Sequence, residues 1–483
     1  MSAASSHYCS PNDIRRALTI LMPSIEPYWK MPLKNYAAAA YDLPQQTTSS
    51  AARDHAKRLV QAMVERVAHK AGFGPDDARS AGLELTASPV LQTGPHCLLL
   101  FEPDAFYTHL FSLMGLQSSG RHWHVTYAGS TMSFKESAKK GPGWLRLEGE
   151  ALNLFGLPRS RMDGRSICCP DGPYEFVLSN SAGTKALNGT AKRLLTELPP
   201  ALFPSAAEAI KLANDKLWRS HFGSSANLLQ IDDFDVASLI ADHLDDPTSW
   251  LSEFFIAEAH TALLPNAIDR LNEGPWRGWV RRTTDYFWYV GPERVLPLVL
   301  DEGYLRSVAS PDITVKFSPH NIASAIRDRK LLPTLFLAFL VLSILPGIRA
   351  LGGCRQPVYL PLLRYLTAVC VERSSDGDLL TVLQDDDYPG MWGHRVLRPT
   401  GGDPFHDVEV SGGISTLLEI YGSIPLFEAS GDLASFTGDI LWAEMSKHLA
   451  YGEIKFLSAE WKWSGVESAA GDEFARFMAR GRL

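Results

Sequence analysis

The chain has 483 residues, of which 45% are hydrophobic and 21% charged, so it can form a large globular core and exceeds the size at which a single core usually stops growing. A formal net charge of −8 and a pI near 6.0 argue against non-specific binding to DNA or other nucleic acids, which depends on clustered Lys and Arg. The mean hydropathy of −0.07 is typical of a water-soluble protein, and the length predicts two or three lobes.

The first residues and the cysteines indicate a cytoplasmic protein. Residues 1–16 are polar and lack the apolar segment of a secretory signal. The six cysteines are sparse and, apart from the neighbours Cys168 and Cys169, show no pairing or metal-ligand spacing. We therefore expect no disulfide framework and no metal site.

The first half of the chain predicts part of a parallel sheet. An amphipathic helix is predicted over residues 53–71, and residues 83–92 have the pattern of a buried strand. A turn at 93–96 and a helix over 106–116 precede the alternating strand 122–127. A strand, helix and strand in this order form the repeating unit of a parallel sheet.

An uncharged run of 18 residues, 331–348, is the strongest hydrophobic feature. Its length reaches the lower edge of the range for a membrane span. Pro333 and Pro346 interrupt the run, and no second run of this kind occurs. We expect a buried helix and strand, with membrane contact as the alternative.

Two glycine-containing corners are the main candidates for a functional site. Thr93 and Gly94 follow the first predicted strand, where a glycine lets backbone N–H groups approach an anion, and His96 is a candidate acid–base residue. The second corner follows the apolar run, and a binding role for its backbone and side chains is predicted rather than covalent catalysis by Cys354. Its candidate substrate-binding residues are Gly352, Gly353, Arg355, Gln356 and Tyr359.

Three further groups of residues carry weaker signals. Ser130 and Thr131 follow the second strand, where ligands of open α/β sheets bind, and are candidate catalytic residues with Lys135 as a substrate-binding cation. Arg159 and Arg161, with Arg165, form a basic loop suited to a phosphate or an RNA backbone. Residues 276–289 interleave aromatic side chains with arginines, which is typical of base stacking.

Short patches around the two corners resemble bacillithiol synthases, the cysteine-adding enzymes. The resemblance rests on Thr93-Gly94 followed by Phe106 and Tyr107, and on Leu332-Pro333 followed by Gly352-Gly353 and Tyr359. It implies a Rossmann-like core with insertions, a nucleotide-binding pocket, and a reaction that joins an amine or thiol of one substrate to another.

The predicted fold is therefore α/β, with a Rossmann-like parallel sheet core, a β-rich insertion and additional helices. The predicted segments are an N-terminal helical segment (1–80), the first part of the core (81–138), a loop- and strand-rich insertion (139–200), a helical and mixed region (201–320), the second part of the core with the Gly-Gly turn (321–372) and a C-terminal region (373–483). Within the last, residues 374–404 are rich in Asp, Gly and Pro and are predicted to form an exposed excursion.

The favoured function is a biosynthetic enzyme of specialised metabolism, a transferase or ligase. It would form a C–N or related bond between an amino-acid-like substrate and a second small molecule, with ATP or ADP as a candidate cofactor. One alternative is an aminoacyl-tRNA-dependent transferase, with the basic loop and the aromatic segment holding tRNA. A second alternative is a non-catalytic scaffold or membrane-associated protein.

Overall fold

A computed structural model describes residues 9–43, 48–137, 139–180, 183, 189–223, 225–256, 261–273, 276–374, 376–385, 390–450, 455–456 and 463–464. The strands in this part of the chain are β1 (Val90–Gln92), β2 (Trp123–Tyr127), β3 (Trp144–Leu147), β4 (Glu150–Asn153), β5 (Asn227–Ile231), β6 (Phe287–Val290), β7 (Val295–Asp301), β8 (Tyr304–Ser307), β9 (Thr314–Lys316), β10 (Leu331–Pro333), β11 (Arg349–Gly352), β12 (Gly390–Trp392), β13 (Lys455–Phe456) and β14 (Trp463–Ser464).

A parallel five-stranded sheet in the order β12-β11-β1-β2-β5 forms the core of the described chain. Gln92 of β1 pairs with Leu351 of β11 on one side and with Thr126 of β2 on the other. All four neighbouring pairs are parallel, so the carboxyl ends of these strands lie along one edge. When the five strands are numbered one to five along the chain (β1, β2, β5, β11, β12), their order across the sheet, read from the β5 edge, is 3-2-1-4-5. The predicted α/β class with a parallel sheet is thereby confirmed.

A second sheet, antiparallel and in the order β10-β6-β7-β8-β9, is inserted between β5 and β11 of the parallel sheet. A small antiparallel hairpin of β3 and β4 lies in the predicted strand-rich insertion. Both are additions to the chain between core strands, and neither contributes a strand to the parallel sheet.

Helices connect the parallel strands and surround the sheet. The helix Pro103–Ser119 joins β1 to β2; it begins with a proline in its first turn and ends at Gly120, which has a left-handed φ of 64°. The helix Asp233–Asp245 follows β5 and begins with a capping box between Asp232 and Asp235. The other α-helices in the first half are Pro11–Leu21, Leu33–Tyr41, Ala51–Lys70, Pro75–Ala87, Arg159–Met162, Gly189–Glu197 and Ala206–His221, with a 3-10 helix at Pro23–Tyr28.

The second half of the described chain is also rich in helix. Gln356–Arg373 connects β11 to β12 and packs against the neighbouring helices through buried apolar residues. The others are Trp250–Ile256, Leu263–Leu271, Pro319–Arg327, Leu335–Phe339, Gly377–Asp385, Pro404–Ser411, Ile414–Gly422, Leu426–Ala429, Ala434–Thr437 and Ile440–Ala450, with a π-helix at Leu340–Ile344.

The apolar run 331–348 is buried inside the core, as expected. It contains β10, the short helix Leu335–Phe339 and the π-helix, and most of its side chains are shielded from solvent. Among the residues that the structure describes, no helix has the length and apolarity needed to cross a membrane.

Two predictions of local structure are wrong. Residues 83–87 belong to the helix Pro75–Ala87, and only Val90–Gln92 forms the strand. The helix extends this far because Pro75, Asp76 and Asp77 provide a strong helix start. The segment 374–404 is not simply an exposed excursion, since β12 lies within it and is fully buried at the edge of the parallel sheet.

Candidate functional site

The two glycine corners lie side by side at the carboxyl edge of the parallel sheet. The backbone N–H of Thr93 donates to the carbonyl of Leu351 at 2.7 Å, and the Thr93 hydroxyl donates to the same oxygen at 2.9 Å. The first corner lies at the end of β1 and the second at the end of β11, and these two strands are neighbours in the sheet. From β1 the chain continues to β2 on one side, and from β11 it continues to β12 on the other side. Open α/β sheets bind ligands in the crevice at such a point.

The imidazole of His394 lies between the two corners. A Cβ atom added to Gly94 would lie 2.7 Å from Cβ and 2.8 Å from Nδ1 of His394, so a glycine is required for this approach. A Cβ atom added to Gly353 would lie 3.7 Å from Cδ2 of the same ring, which is ordinary contact. We call Gly94, Gly353 and His394 the junction.

Thr108 holds the imidazole of His394 in place. The Thr108 hydroxyl lies 2.7 Å from the carbonyl of Asp104 and 2.9 Å from Nδ1 of His394. The same hydroxyl oxygen accepts a hydrogen bond from the Arg395 N–H at 3.1 Å. Burial and the charge of Arg395 hold the pKa of His394 well below its ordinary value. The ring is thus a neutral base, and 7% of the residue is exposed to solvent.

His96 is exposed beside the junction. Its Nδ1 lies 3.5 Å from the position of a Cβ added to Gly129, which follows β2. The predicted acid–base candidate therefore reaches solvent at the edge where β1 and β2 end.

Asp233 holds the loop that follows β2. Its carboxylate accepts hydrogen bonds from the Tyr127 hydroxyl, from the backbone N–H and hydroxyl of Ser130, the latter at 3.0 Å, and from the Thr131 N–H at 2.7 Å. Ser130 is 1% exposed, so it anchors the loop and is not presented to a substrate. This geometry gives no support to the catalytic role predicted for Ser130, and the Thr131 backbone takes part in the same anchoring.

A cluster of charges borders the junction. Asp104 forms ion pairs with Lys140 at 2.7 Å and with Arg395 at 2.8 Å. The Arg395 side chain also lies 3.7 Å from the carboxylate of Glu136. Burial opposes ionisation of Asp104, but these two cations outweigh it and hold the pKa of Asp104 far below its ordinary value. The cluster ties the loop after β2 to the segment after β12.

The second corner contains two buried polar groups without a partner among the described residues. Nε2 of Gln356 and the hydroxyl of Tyr359 are both buried and unbonded there. A Cβ added to Gly352 would lie 2.9 Å from the Thr93 hydroxyl, so Gln356, Gly352 and Thr93 crowd together. Buried unsatisfied polar groups are uncommon and mark places where a ligand or water completes the hydrogen bonding.

The neighbouring residues of this corner have structural partners. Nε of Arg355 pairs with Asp439 at 2.7 Å. Burial and Asp439 raise the pKa of the Cys354 thiol to about 12, so the thiolate needed for nucleophilic attack is disfavoured, as predicted.

The other predicted cations do not form part of the junction. Lys135 pairs with Asp163 at 2.7 Å. Arg159 and Arg161 are exposed on the helix Arg159–Met162, and neither makes a hydrogen bond or ion pair with the glycine corners within the described chain.

The aromatic segment is mostly buried. Trp276 and Trp279 are 1% and 5% exposed, and Tyr286 and Phe287 are also buried. These side chains therefore support the core and offer no open face for stacking on RNA bases.

A large cavity lies at the opposite edge of the sheet. It has a volume of about 1660 Å³ and its walls include Pro89, just before β1, and Arg349, the first residue of β11. The residues around the junction do not line it.

His394, Thr108, Asp104, Arg395 and Asp233 are site residues that the sequence analysis missed. The weak signal for His394 is its place two residues after a short Gly-Met-Trp strand, within a segment whose composition resembles a loop. Asp233 lies two residues after β5, and site residues of parallel sheets lie near such carboxyl ends.

Within the described residues, no group of three or more His, Cys, Asp or Glu side chains is arranged to hold a metal ion. No family model matches the chain. The comparison with curated proteins likewise gives no match.

Proposed function

We propose that the protein is a biosynthetic enzyme that joins an amino-acid-like substrate to a second small molecule, by a C–N or related bond, at the carboxyl edge of a Rossmann-like sheet. The order of the five strands, third-second-first-fourth-fifth, is the order of the Rossmann sheet and supports this assignment. The proposed site comprises the junction, His96, Gln356 and Tyr359.

The observation that carries the proposal is the neutral His394 held between two glycine corners. An amino group attacks only after it loses a proton, and a neutral imidazole has one ring nitrogen whose lone pair can take that proton. Thr108 fixes the ring, since its hydroxyl lies 2.9 Å from Nδ1. His96 is a second acid–base group on the same edge.

The unpartnered groups of the second corner support substrate binding. Nε2 of Gln356 donates hydrogen bonds, and the Tyr359 hydroxyl can donate or accept them. The backbone at Gly353 allows close approach of a ligand, because a Cβ atom there would meet only Cδ2 of His394 at 3.7 Å.

The experiment is an untargeted search for product. The purified chain is incubated with amino acids, ATP and a small-molecule extract, and mass spectrometry identifies compounds formed only in its presence. We expect a condensation product with wild-type protein and a loss of at least about a hundredfold in His394→Gln, in line with the usual contribution of an acid–base group. His69→Gln, at an exposed position of the helix Ala51–Lys70, is the matched control.

The proposal is abandoned if no product forms and no amino acid raises the thermal unfolding temperature. It also fails if a product forms at equal rates in the His394→Gln and His69→Gln variants.

A further inference from the structure

The cavity at the amino edge of the parallel sheet has a cationic wall. Among the residues lining its volume of about 1660 Å³, five are cationic and three acidic, a net excess of two positive charges in a chain whose net charge is −8. The cations are Lys34, Arg53, Lys57, Arg121 and Arg349, and the acids are Asp42, Asp385 and Glu419. The cavity exceeds the usual 300–1,000 Å³ of small-molecule pockets.

Three of the cations are held in place by main-chain carbonyls. Arg53 donates to the carbonyls of Ile344 and Leu345 at 3.2 Å. Arg349 donates to the carbonyl of Ala40 at 2.9 Å, and Arg121 donates to that of Tyr41 at 2.8 Å. These hydrogen bonds to neutral carbonyl groups fix the orientation of each guanidinium group.

Lys57 is the group that points most directly to a ligand. It lies four residues after Arg53 on the helix Ala51–Lys70, so the two cations share one face. No ion pair or hydrogen bond of the Lys57 side chain is present in the described residues, and burial together with Arg53 lowers its pKa, against a smaller opposing effect of Asp54. Two cations on one cavity wall repel each other, and an anion between them would remove that cost.

We propose that this cavity binds a small organic polyanion, a molecule with two or more phosphate or carboxylate groups, and that Lys57, Lys34 and Arg121 meet its charges. The site is distinct from the junction, because the starts of β1 and β11 border the cavity and the ends of the same strands form the glycine corners. It is independent of the proposed bond-forming reaction, so either may fail without the other.

The test is calorimetric titration of the full chain at low ionic strength with pyrophosphate, with ATP and with citrate, which separate a phosphate from a carboxylate ligand. We expect saturable binding of at least one of them, weakened by added salt because the contacts are ionic. Lys57→Gln should raise its Kd about tenfold, as expected for the loss of one charge-assisted contact. Lys316→Gln, which removes an exposed lysine from β9, should leave the Kd unchanged.

A second measurement holds even if Lys57→Gln fails to fold. Trace acetylation of the wild-type chain with mass spectrometry should show Lys57 reacting faster than Lys316, because a lowered pKa leaves more of the free amine. The ligand that binds should protect Lys57 and not Lys316. The proposal is overturned if none of the three anions binds saturably, or if binding leaves the acetylation of Lys57 unchanged.

Discussion

Gly94 and His394 are packed so closely that no other residue than glycine fits opposite the imidazole. A Cβ atom at position 94 would lie 2.7 Å from Cβ of His394, and both residues are buried. The contact joins the end of β1 to the segment after β12, which are separated by three hundred residues along the chain. This relationship positions the proposed base and gives the first prediction.

Gly94→Ala should displace His394 and lower the free energy of unfolding by about 1–3 kcal/mol, the usual cost of overpacking a well-packed site. Gly353→Ala is the matched control, because its Cβ would meet Cδ2 of the same ring at 3.7 Å. Urea unfolding of both variants measures the difference. Equal stability of the two variants would show that the ring is not confined as described.

Gln356→Met should separate stability from ligand binding. The substitution removes a buried Nε2 that has no partner among the described residues, so the free energy of unfolding should stay the same or rise by up to about 1 kcal/mol. Product formation or ligand-induced stabilisation should fall at the same time, since the amide would bind the ligand. A variant that loses stability and retains function would contradict the role given to Gln356.

Asp233→Asn should loosen the loop after β2. An amide keeps one acceptor oxygen and replaces the other by an NH₂ group, so it loses either the hydrogen bond from Tyr127 to Oδ1 or those from Ser130 and Thr131 to Oδ2. We expect the free energy of unfolding, measured in urea, to fall by about 2–3 kcal/mol, because these buried hydrogen bonds go to a charged acceptor. Asp77→Asn, in the exposed first turn of another helix, should change stability by less than about 0.5 kcal/mol.

Stability should fall as the pH is lowered, because the core contains neutral histidines. Nδ1 of His109 lies 2.9 Å from Nε2 of His124, and burial lowers the pKa of His109 to about 3. In the unfolded chain a histidine titrates near pH 6.5, so between about pH 6.5 and 3 the unfolded state binds a proton that the native state excludes. Each such histidine then lowers the free energy of unfolding by about 1.4 kcal/mol for each pH unit of acidification.

His109→Gln should reduce the slope of the unfolding free energy against pH by about 1.4 kcal/mol per pH unit, which corresponds to one proton. Urea titrations between pH 4 and 6 measure this slope, whatever the effect of the substitution on stability at pH 7. The exposed His69→Gln variant should leave the slope unchanged. An unaltered slope in His109→Gln would mean that His109 is protonated in the native state.

The ion pairs of Asp104 should restrain the loop more than they stabilise the fold. Lys140→Ala removes one partly exposed partner of Asp104, so we expect the free energy of unfolding, measured in urea, to fall by less than about 1 kcal/mol. The Glu136 amide, which donates to the Lys140 carbonyl at 2.8 Å, should exchange its hydrogen faster. Lys330→Ala, which breaks a surface ion pair with Asp328, is the control. Equal exchange rates of the Glu136 amide in the two variants would show that the ion pairs of Asp104 do not restrain the loop.

Local patterns predicted the centre of the sheet but not its full extent. The unit of β1, helix and β2 was predictable because an alternating strand follows a long apolar helix. β12 was not, because it has only three residues within a segment rich in Asp, Gly and Pro. Its burial comes from pairing with β11, a long-range contact that local composition does not reveal.

The same limit applies to the candidate site. Residues of the two glycine corners were predictable from strand ends followed by glycine, as at Gly94 and Gly352. His394 and Asp233 act through partners far away in sequence, Gly94 and Ser130. Such pairings depend on the tertiary fold, so a single sequence cannot identify them.

The most direct measurement is a crystal structure of the chain with whichever amino acid raises its thermal unfolding temperature most. We predict electron density for that ligand against Gly94, Gly353 and His394, with polar atoms reaching Gln356 or Tyr359. Density confined to another surface, with the junction closed by His394 as in the free protein, would contradict the assignment of the carboxyl edge as the active site.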